Sequence, residues 1–244
     1  RVLPGISRSA GGRRAMSRRL VITVDGPAGS GKTTVARKLS ERLQLRHVDT
    51  GAMYRALTLK ALTHAVPIDD GAALRCMAEK TEIRLGGGRV SVDGEDVTAR
   101  IRTAEVNAAV SQLSAHAEVR TWMAQRQRAL VGEGHAVVEG RDIGSVVLPD
   151  AGLKVFLIAK QAERARRRAA ELRAQGIDAR VEDVEEELAA RDLKDAARAH
   201  SPLVIPEGAI VIDSTRHSAE QIVEKILRIW EAKMAPASSH IEDG

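Results

Sequence analysis

One octapeptide constrains this chain more than anything else in it. Gly26-Pro27-Ala28-Gly29-Ser30-Gly31-Lys32-Thr33 satisfies G-x-x-x-x-G-K-(S/T). The glycines of this pattern let consecutive backbone N–H groups turn toward one point, where a helix N-terminus adds partial positive charge. Context makes it more than a glycine turn beside an exposed lysine. The preceding run, Leu20 to Val24, is apolar and β-branched, as a strand buried on both faces must be. Ala36, Leu39 and Leu43 follow at helical spacing. A strand, a glycine loop and a helix in that order open a parallel α/β sheet. Such a loop binds a nucleoside triphosphate, with Lys32 reaching the β- and γ-phosphates and the Thr33 hydroxyl meeting Mg²⁺.

Beyond the loop, short apolar runs alternate with long helical stretches. Further strands are expected at Arg46 to Asp49, Ala136 to Glu139, Val155 to Ala159 and Ala209 to Asp213. Five strands make a doubly wound parallel sheet with helices on both faces, built from residues 20–50, 135–160 and 205–235 of a single domain spanning 18–235. Residues 51–134 form an insertion holding two helical segments and a small β-hairpin. In that hairpin Ile83, Leu85, Val90 and Val92 alternate with polar residues around Gly86-Gly87-Gly88, and Asp93-Gly94 follows. Residues 160–200 read as two charged helices joined near Gln175-Gly176. Residues 1–17 read as a disordered or vector-derived head and 236–244 as a flexible tail.

Charge and composition remove several classes of function. The net charge of +5 comes from the first 19 residues, which hold six arginines and no acid, so residues 20–244 carry −1. With only Tyr54, Trp122, Phe156 and Trp230 as aromatics, no stacking platform for single-stranded nucleic acid is available. Trp122 and Trp230 read as packing residues. No apolar run reaches the ~18 residues of a bilayer span, and Cys76 is the sole cysteine, which excludes an intrachain disulfide. A cytoplasmic monomer that engages neither nucleic acid nor membrane is expected.

A GTPase switch needs an N-K-x-D guanine reader, but the only asparagine, Asn107, precedes Ala108. Glu139 and Asp213 each end an apolar strand, as a metal-side acid would, yet no transporter signature follows. A small kinase fits better. Its acceptor belongs beyond the carboxyl ends of the strands, where Asp49-Thr50-Gly51-Ala52-Met53-Tyr54-Arg55 and Glu139-Gly140-Arg141-Asp142-Ile143-Gly144 supply the arginines that a phosphate ester requires. No histidine sits in a metal-ligand pair such as H-E-x-x-H, and this chemistry requires no Ser-His-Asp set.

With DGPAGSGKTT, DTGAMYRAL, NAAVSQLSA, EGRDIGSVV and RDLKDAAR in this order, the chain resembles the bacterial cytidylate kinases over about residues 20–230. DTGAMYR and EGRDIG are much more specific than the glycine loop. The resemblance implies transfer of the γ-phosphoryl group of ATP, with Mg²⁺, to CMP or dCMP. It implies ATP contacts from Gly26 to Thr34, and from Arg164 and Arg168 in a mobile lid at 160–200. It places Thr50, Arg120 and Asp142 on the cytosine edge, Arg55, Arg141 and Arg198 on the acceptor phosphate, and Ser111, Arg191 and Asp195 on the ribose. Lys32, Arg141 and Arg198 then serve catalysis.

The residues alone leave plainer alternatives open. Thr50 is also suited to cap a helix, Asp142 to a loop ion pair, and Arg191, Asp195 and Arg198, at i, i+4 and i+7, to one face of a helix. Arg164, Arg166, Arg167 and Arg168 read equally as a solvated helix face. A kinase for another monophosphate or small metabolite, and a non-catalytic ATP-gated switch, remain alternatives.

Overall fold

The computed structural model describes residues 20–198 and 200–234; the expected head and tail lie outside the described residues. The chain runs β1 (Val21–Asp25), α1 (Lys32–Leu43), β2 (Arg46–Asp49), α2 (Thr50–Thr63), α3 (Gly71–Glu79), β3 (Ile83–Gly86), β4 (Arg89–Val92), β5 (Glu95–Asp96), α4 (Ala104–Leu113) and α5 (Ala117–Val131). It continues through β6 (Ala136–Glu139), β7 (Leu153–Ile158), α6 (Gln161–Ala174), α7 (Val181–Ala196), β8 (Ile210–Asp213) and α8 (Ala219–Met234). A 3-10 turn precedes α4 at Arg100–Arg102, and one turn of π-helix follows β6 at Ile143–Val147.

The main sheet has the order β2-β6-β1-β7-β8, all parallel. β1 is buried along its whole length, and its alternating side chains serve two layers. Ile22 and Val24 pack with Val35, Leu39, Ile226 and Trp230 of α1 and α8. Val21 packs on the opposite face with Val48, Val138, Ile143 and Val131 of α5. The chain leaves β1 toward β2 on one side and later reaches β7 on the other. The loop after β1 therefore opens into the crevice where strand order reverses, the usual ligand position in such sheets.

The insertion departs from expectation. It holds four helices rather than two, and a three-stranded antiparallel sheet β3-β4-β5 rather than a lone hairpin. Local chemistry explains both differences. Pro67 lies in the break between α2 and α3, and the Asp70 carboxylate accepts from Ala73 N–H to restart the helix. Thr103 caps α4 in the same way. Asp93 and Gly94 both have positive φ, +52° and +90°, as a two-residue I′-type turn requires, and this turn adds β5. α2 is buried on two sides, with Met53, Leu57 and Ala61 against α3 and α5 and with Ala52 and Ala56 against the small sheet. Both tryptophans are core residues as expected, Trp122 in the insertion and Trp230 under the main sheet.

At the end of β1 the backbone leaves no room for a side chain. Gly26 has φ +142°, and a Cβ there would lie 2.1 Å from the Leu157 carbonyl oxygen in β7. Gly86, in the small sheet, would place a Cβ in open space. Gly26→Ala should therefore cost about 3 kcal/mol or more of folding stability, and Gly86→Ala less than about 0.5 kcal/mol. Urea unfolding of the two variants checks the contrast; equal midpoints would contradict it.

Candidate active site

The loop between β1 and α1 is shaped by its own polar groups. Ser30 Oγ and Lys32 Nζ donate to the Pro27 carbonyl at 3.0 and 2.6 Å, and Gly31, with φ +89°, opens α1 without a side-chain cap. The N–H groups of the first helical turn are thus left to the loop's concave side. Ser214, fully buried just after β8, donates from its hydroxyl to the Ser30 carbonyl at 2.9 Å. Arg167 in turn donates to both the Ser214 hydroxyl and its carbonyl, at 3.0 and 2.7 Å. Arg167 therefore braces the loop. Sequence reasoning singled out its neighbours instead, because nothing in a run of arginines tells which one faces inward.

A cavity of about 350 Å³ runs from this loop across the carboxyl ends of β1, β2 and β6. Its walls include Gly29, Gly31, Lys32, Thr33 and Thr34 of the loop, Thr50, Tyr54, Arg120 and Asp142, and the arginines Arg55, Arg141, Arg191 and Arg198. Gly26, Pro27 and Ser30 build the loop rather than line the space. The plan read from the motifs therefore converges in one place.

The arginines determine the electrostatics. Asp195, buried on α7, accepts from Arg141 Nε at 3.1 Å and pairs with Arg198. Among the described residues no ion pair forms to Arg55 or Arg191; Arg55 Nε only donates to Asn107 Oδ1 at 3.4 Å. Burial and then the charges of Arg141 and Arg55 push Arg191 down to about 9. Burial also lowers Arg55 and Arg198, with neighbouring arginines contributing. Burial works to raise the Asp195 carboxyl, but Arg141, Arg198 and Arg191 outweigh it and hold the group below the usual carboxylate range. Four cations around one carboxylate leave an excess of positive charge, most of which an anion of two charges would offset.

Arg198 corrects the sequence picture in one respect. α7 ends at Ala196, so Arg198 lies beyond the helix and does not share its face. It reaches the cluster through Asp195 and through Ser114 Oγ, 3.1 Å away. The local helix pairing weighed for 191, 195 and 198 is thus partly present, but it points into the cavity.

Thr50 is not the cap of α2. The Asp49 carboxylate takes that place, accepting from Ala52 N–H at 2.9 Å, and the Thr50 hydroxyl donates to the Glu139 carbonyl at 2.6 Å. Asp142 does form an ion pair, with Arg120 Nη2 at 2.5 Å, both side chains being more than nine-tenths buried. Tyr54 lies beneath that guanidinium, its ring centroid 5.7 Å from Cζ. Arg120 Nε has no partner, so this part of the cavity offers a carboxylate acceptor and a free donor side by side.

Two candidates lie elsewhere. Ser111 faces an adjoining cleft of about 550 Å³ between α4 and α7, shared with Arg191. Its hydroxyl and Arg191 Nε are both buried without partners. Arg164 is not brought to the cavity. It is buried behind the loop, donating to the Ala28 carbonyl at 3.2 Å and to Asp192 at 2.5 Å. Arg168 lines both spaces and pairs with Glu171. Tyr54 and Arg102, unremarked as site residues in the sequence, line the main cavity.

The donors for a metal ion fit a magnesium–nucleotide complex. Thr33 Oγ1 donates to Glu139 Oε2 at 2.7 Å, which leaves the hydroxyl lone pairs free, and a hydroxyl with a carboxylate is the hard oxygen set that Mg²⁺ takes together with phosphate oxygens and water. Burial raises the Glu139 carboxyl, and the Asp49 charge adds to that. Lys32 is held well below the usual lysine range by burial first and Arg141 second. Among the described residues no cluster of three or more His, Cys, Asp or Glu side chains forms a preassembled metal cage.

Comparison with known proteins finds relatives over most of the chain. A curated cytidylate kinase of Symbiobacterium thermophilum is 50% identical over 218 residues, covering 87% of this chain and 96% of that protein. One from Caldanaerobacter subterraneus is 47% identical, covering 86% and 93%. In a Synechococcus protein described as a bifunctional pantoate ligase/cytidylate kinase, 41% of the length aligns with 87% of this chain at 44% identity. The family model described as cytidylate kinase matches residues 22–232, and the chain belongs to the cytidylate kinase family.

Proposed function

We propose that this chain transfers the γ-phosphoryl group of MgATP to CMP or dCMP, giving ADP and CDP or dCDP. One observation carries the reading: a single cavity is lined by a phosphate-type loop, a buried Arg120–Asp142 pair and under-compensated arginines. A nucleoside monophosphate matches that set of chemistries, its base edge on the Arg120–Asp142 pair and its phosphate among the arginines. Residues 51–134 then act as the acceptor-binding insertion and 160–200 as a lid. The chain works on free nucleotides as a cytoplasmic monomer. No helix among the described residues is long and apolar enough to cross a membrane.

In this reading Arg55, Arg141 and Arg198 hold the acceptor phosphate, and Ser111, Arg191 and Asp195 hold the sugar. The unpartnered Ser111 Oγ and Arg191 Nε support the assignment, since orphaned buried polar groups are costly unless something meets them. Asp142 accepts from the cytosine exocyclic amine and Arg120 donates to its ring acceptors, while the Thr50 hydroxyl, its proton taken by the Glu139 carbonyl, turns a lone pair toward the same amine. Uracil would turn a carbonyl oxygen toward the carboxylate instead, and discrimination follows from that mismatch.

The acceptor oxygen is already anionic, so the transfer needs alignment and charge neutralisation rather than a strong base. Lys32 exchanges the Pro27 carbonyl for a terminal phosphate oxygen. Arg141 and Arg198 hold the attacking oxygen in line and share the developing charge. Thr33 and Glu139 would hold magnesium, which when bound neutralises charge on the β- and γ-oxygens. Closure of 160–200, with Arg168 drawn toward ATP while Arg164 holds the loop from behind through the Ala28 carbonyl, excludes water that would otherwise be the acceptor.

Lys32→Met should lower kcat by about 10³-fold while CMP affinity stays within about twofold. A coupled ADP-release assay with equilibrium CMP titration measures both, and an undiminished rate would remove Lys32 from the chemistry. Asp142→Asn introduces an amide that can also donate. It should lower kcat/KM for CMP by about 10²-fold and for UMP much less. Parallel losses with the two acceptors would take Asp142 out of base reading.

A further inference from the structure

The Glu139 carboxylate is held from both sides. Oε2 accepts from the Thr33 hydroxyl at 2.7 Å, and Oε1 lies 3.0 Å from His47 Nε2. Because a carboxylate oxygen accepts, Nε2 is the donor of that contact. His47 is on β2, the edge strand, in register with Val137 and two residues before the Asp49–Glu139 pair. Strand alternation places His47 and Asp49 on one face while Val48 goes fully into the core. The imidazole is 24% exposed and Glu139 only 4%, so the histidine closes the solvent side of a buried acid. No motif marks His47: it precedes DTGAMYRAL and falls outside EGRDIGSVV.

Without the imidazole, Oε1 of a buried carboxylate would lose its partner and the group would be free to rotate about its last bond. The Thr33 hydroxyl would then lose its fixed acceptor and with it the orientation of its lone pairs. We infer that His47 is a positioning residue for the metal half of the MgATP site, holding Glu139 so that the Thr33 hydroxyl is presented to the ion. The inference rests on the reading of Thr33 and Glu139 as the metal-side residues. Outer partners of this kind orient ligands at many metal sites, and their loss costs on the order of 10- to 100-fold in metal affinity.

The test separates the metal from the nucleotide. ATP affinity of the full chain is measured by calorimetry with excess Mg²⁺ and again with EDTA, and the ratio is the metal-dependent increment. Mn²⁺ bound in the presence of ATP is followed independently by its EPR signal. His47→Leu and His47→Phe should reduce the increment about tenfold and weaken Mn²⁺ binding equally, with ATP affinity in EDTA unchanged. His47→Gln, which retains a terminal N–H donor, should recover most of both. If His47→Leu or His47→Phe keeps the wild-type increment, or if His47→Gln loses as much as they do, the inference is wrong. A wild-type chain that binds ATP equally with and without the metal would instead overturn the metal reading at Thr33 and Glu139, and this inference with it.

Discussion

Two backbone hydrogen bonds to one buried carboxylate join the halves of this site. Asp25, the last residue of β1, accepts from the N–H groups of Ile143 and Gly144 at 2.9 and 2.8 Å. The π-helical turn those residues begin has no side-chain cap of its own, so its cap comes from a strand more than a hundred residues earlier in the chain. Burial raises the Asp25 carboxyl to about 6, partly offset by those two N–H bonds. The next residue after Asp25 opens the glycine loop, and the residue before Ile143 is Asp142. One carboxylate thereby sets the distance between the loop and the acidic end of the cavity. Gly144 permits this closeness, since a Cβ there would meet Thr23 Oγ1 at 2.8 Å.

Around that fixed frame the arginines are held under tension. Asp195 pairs with two of them directly, while Arg55 and Arg191 have no ion-pair partner among the described residues and feel only the more distant charges of Asp49 and Asp195. A stable protein has no reason to bury such a surplus for its own sake, because unpaired buried charge is among the most expensive features a fold can carry. The arrangement makes sense as a prepaid site, in which an incoming dianion recovers the electrostatic cost. α7 and the segment after it contribute Arg191, Asp195 and Arg198, so any movement of that region changes the arginine-rich part of the cavity as a whole.

Much of this was legible before any coordinates. β-branched runs marked the five strands to within two residues at each end, and the glycine loop sat where the pattern placed it. DTGAMYR and EGRDIG proved to be the carboxyl ends of neighbouring strands β2 and β6. Less visible were features that depend on which way a side chain turns. Arg167 braces the loop through Ser214 and Arg164 through the Ala28 carbonyl, Asp49 rather than Thr50 caps α2, and Arg198 works from beyond the helix that it was expected to share. The four-helix insertion was also underread, because α2 and α5 are buried on more than one side and so lack a single apolar stripe.

The amino-acid order alone determined what lies within about one turn of its own residue: the glycine loop with its lysine and threonine, the buried strands, and which segments carry arginine near strand ends. Those properties follow from local sterics and periodicity. The tertiary structure decided which distant groups share a charge or a hydrogen bond, such as Thr33 and His47 on Glu139, Arg120 on Asp142, and Asp25 on the turn after β6. Such pairings arise only when a parallel sheet brings strand ends together, and no local rule in a linear chain encodes which ends will meet.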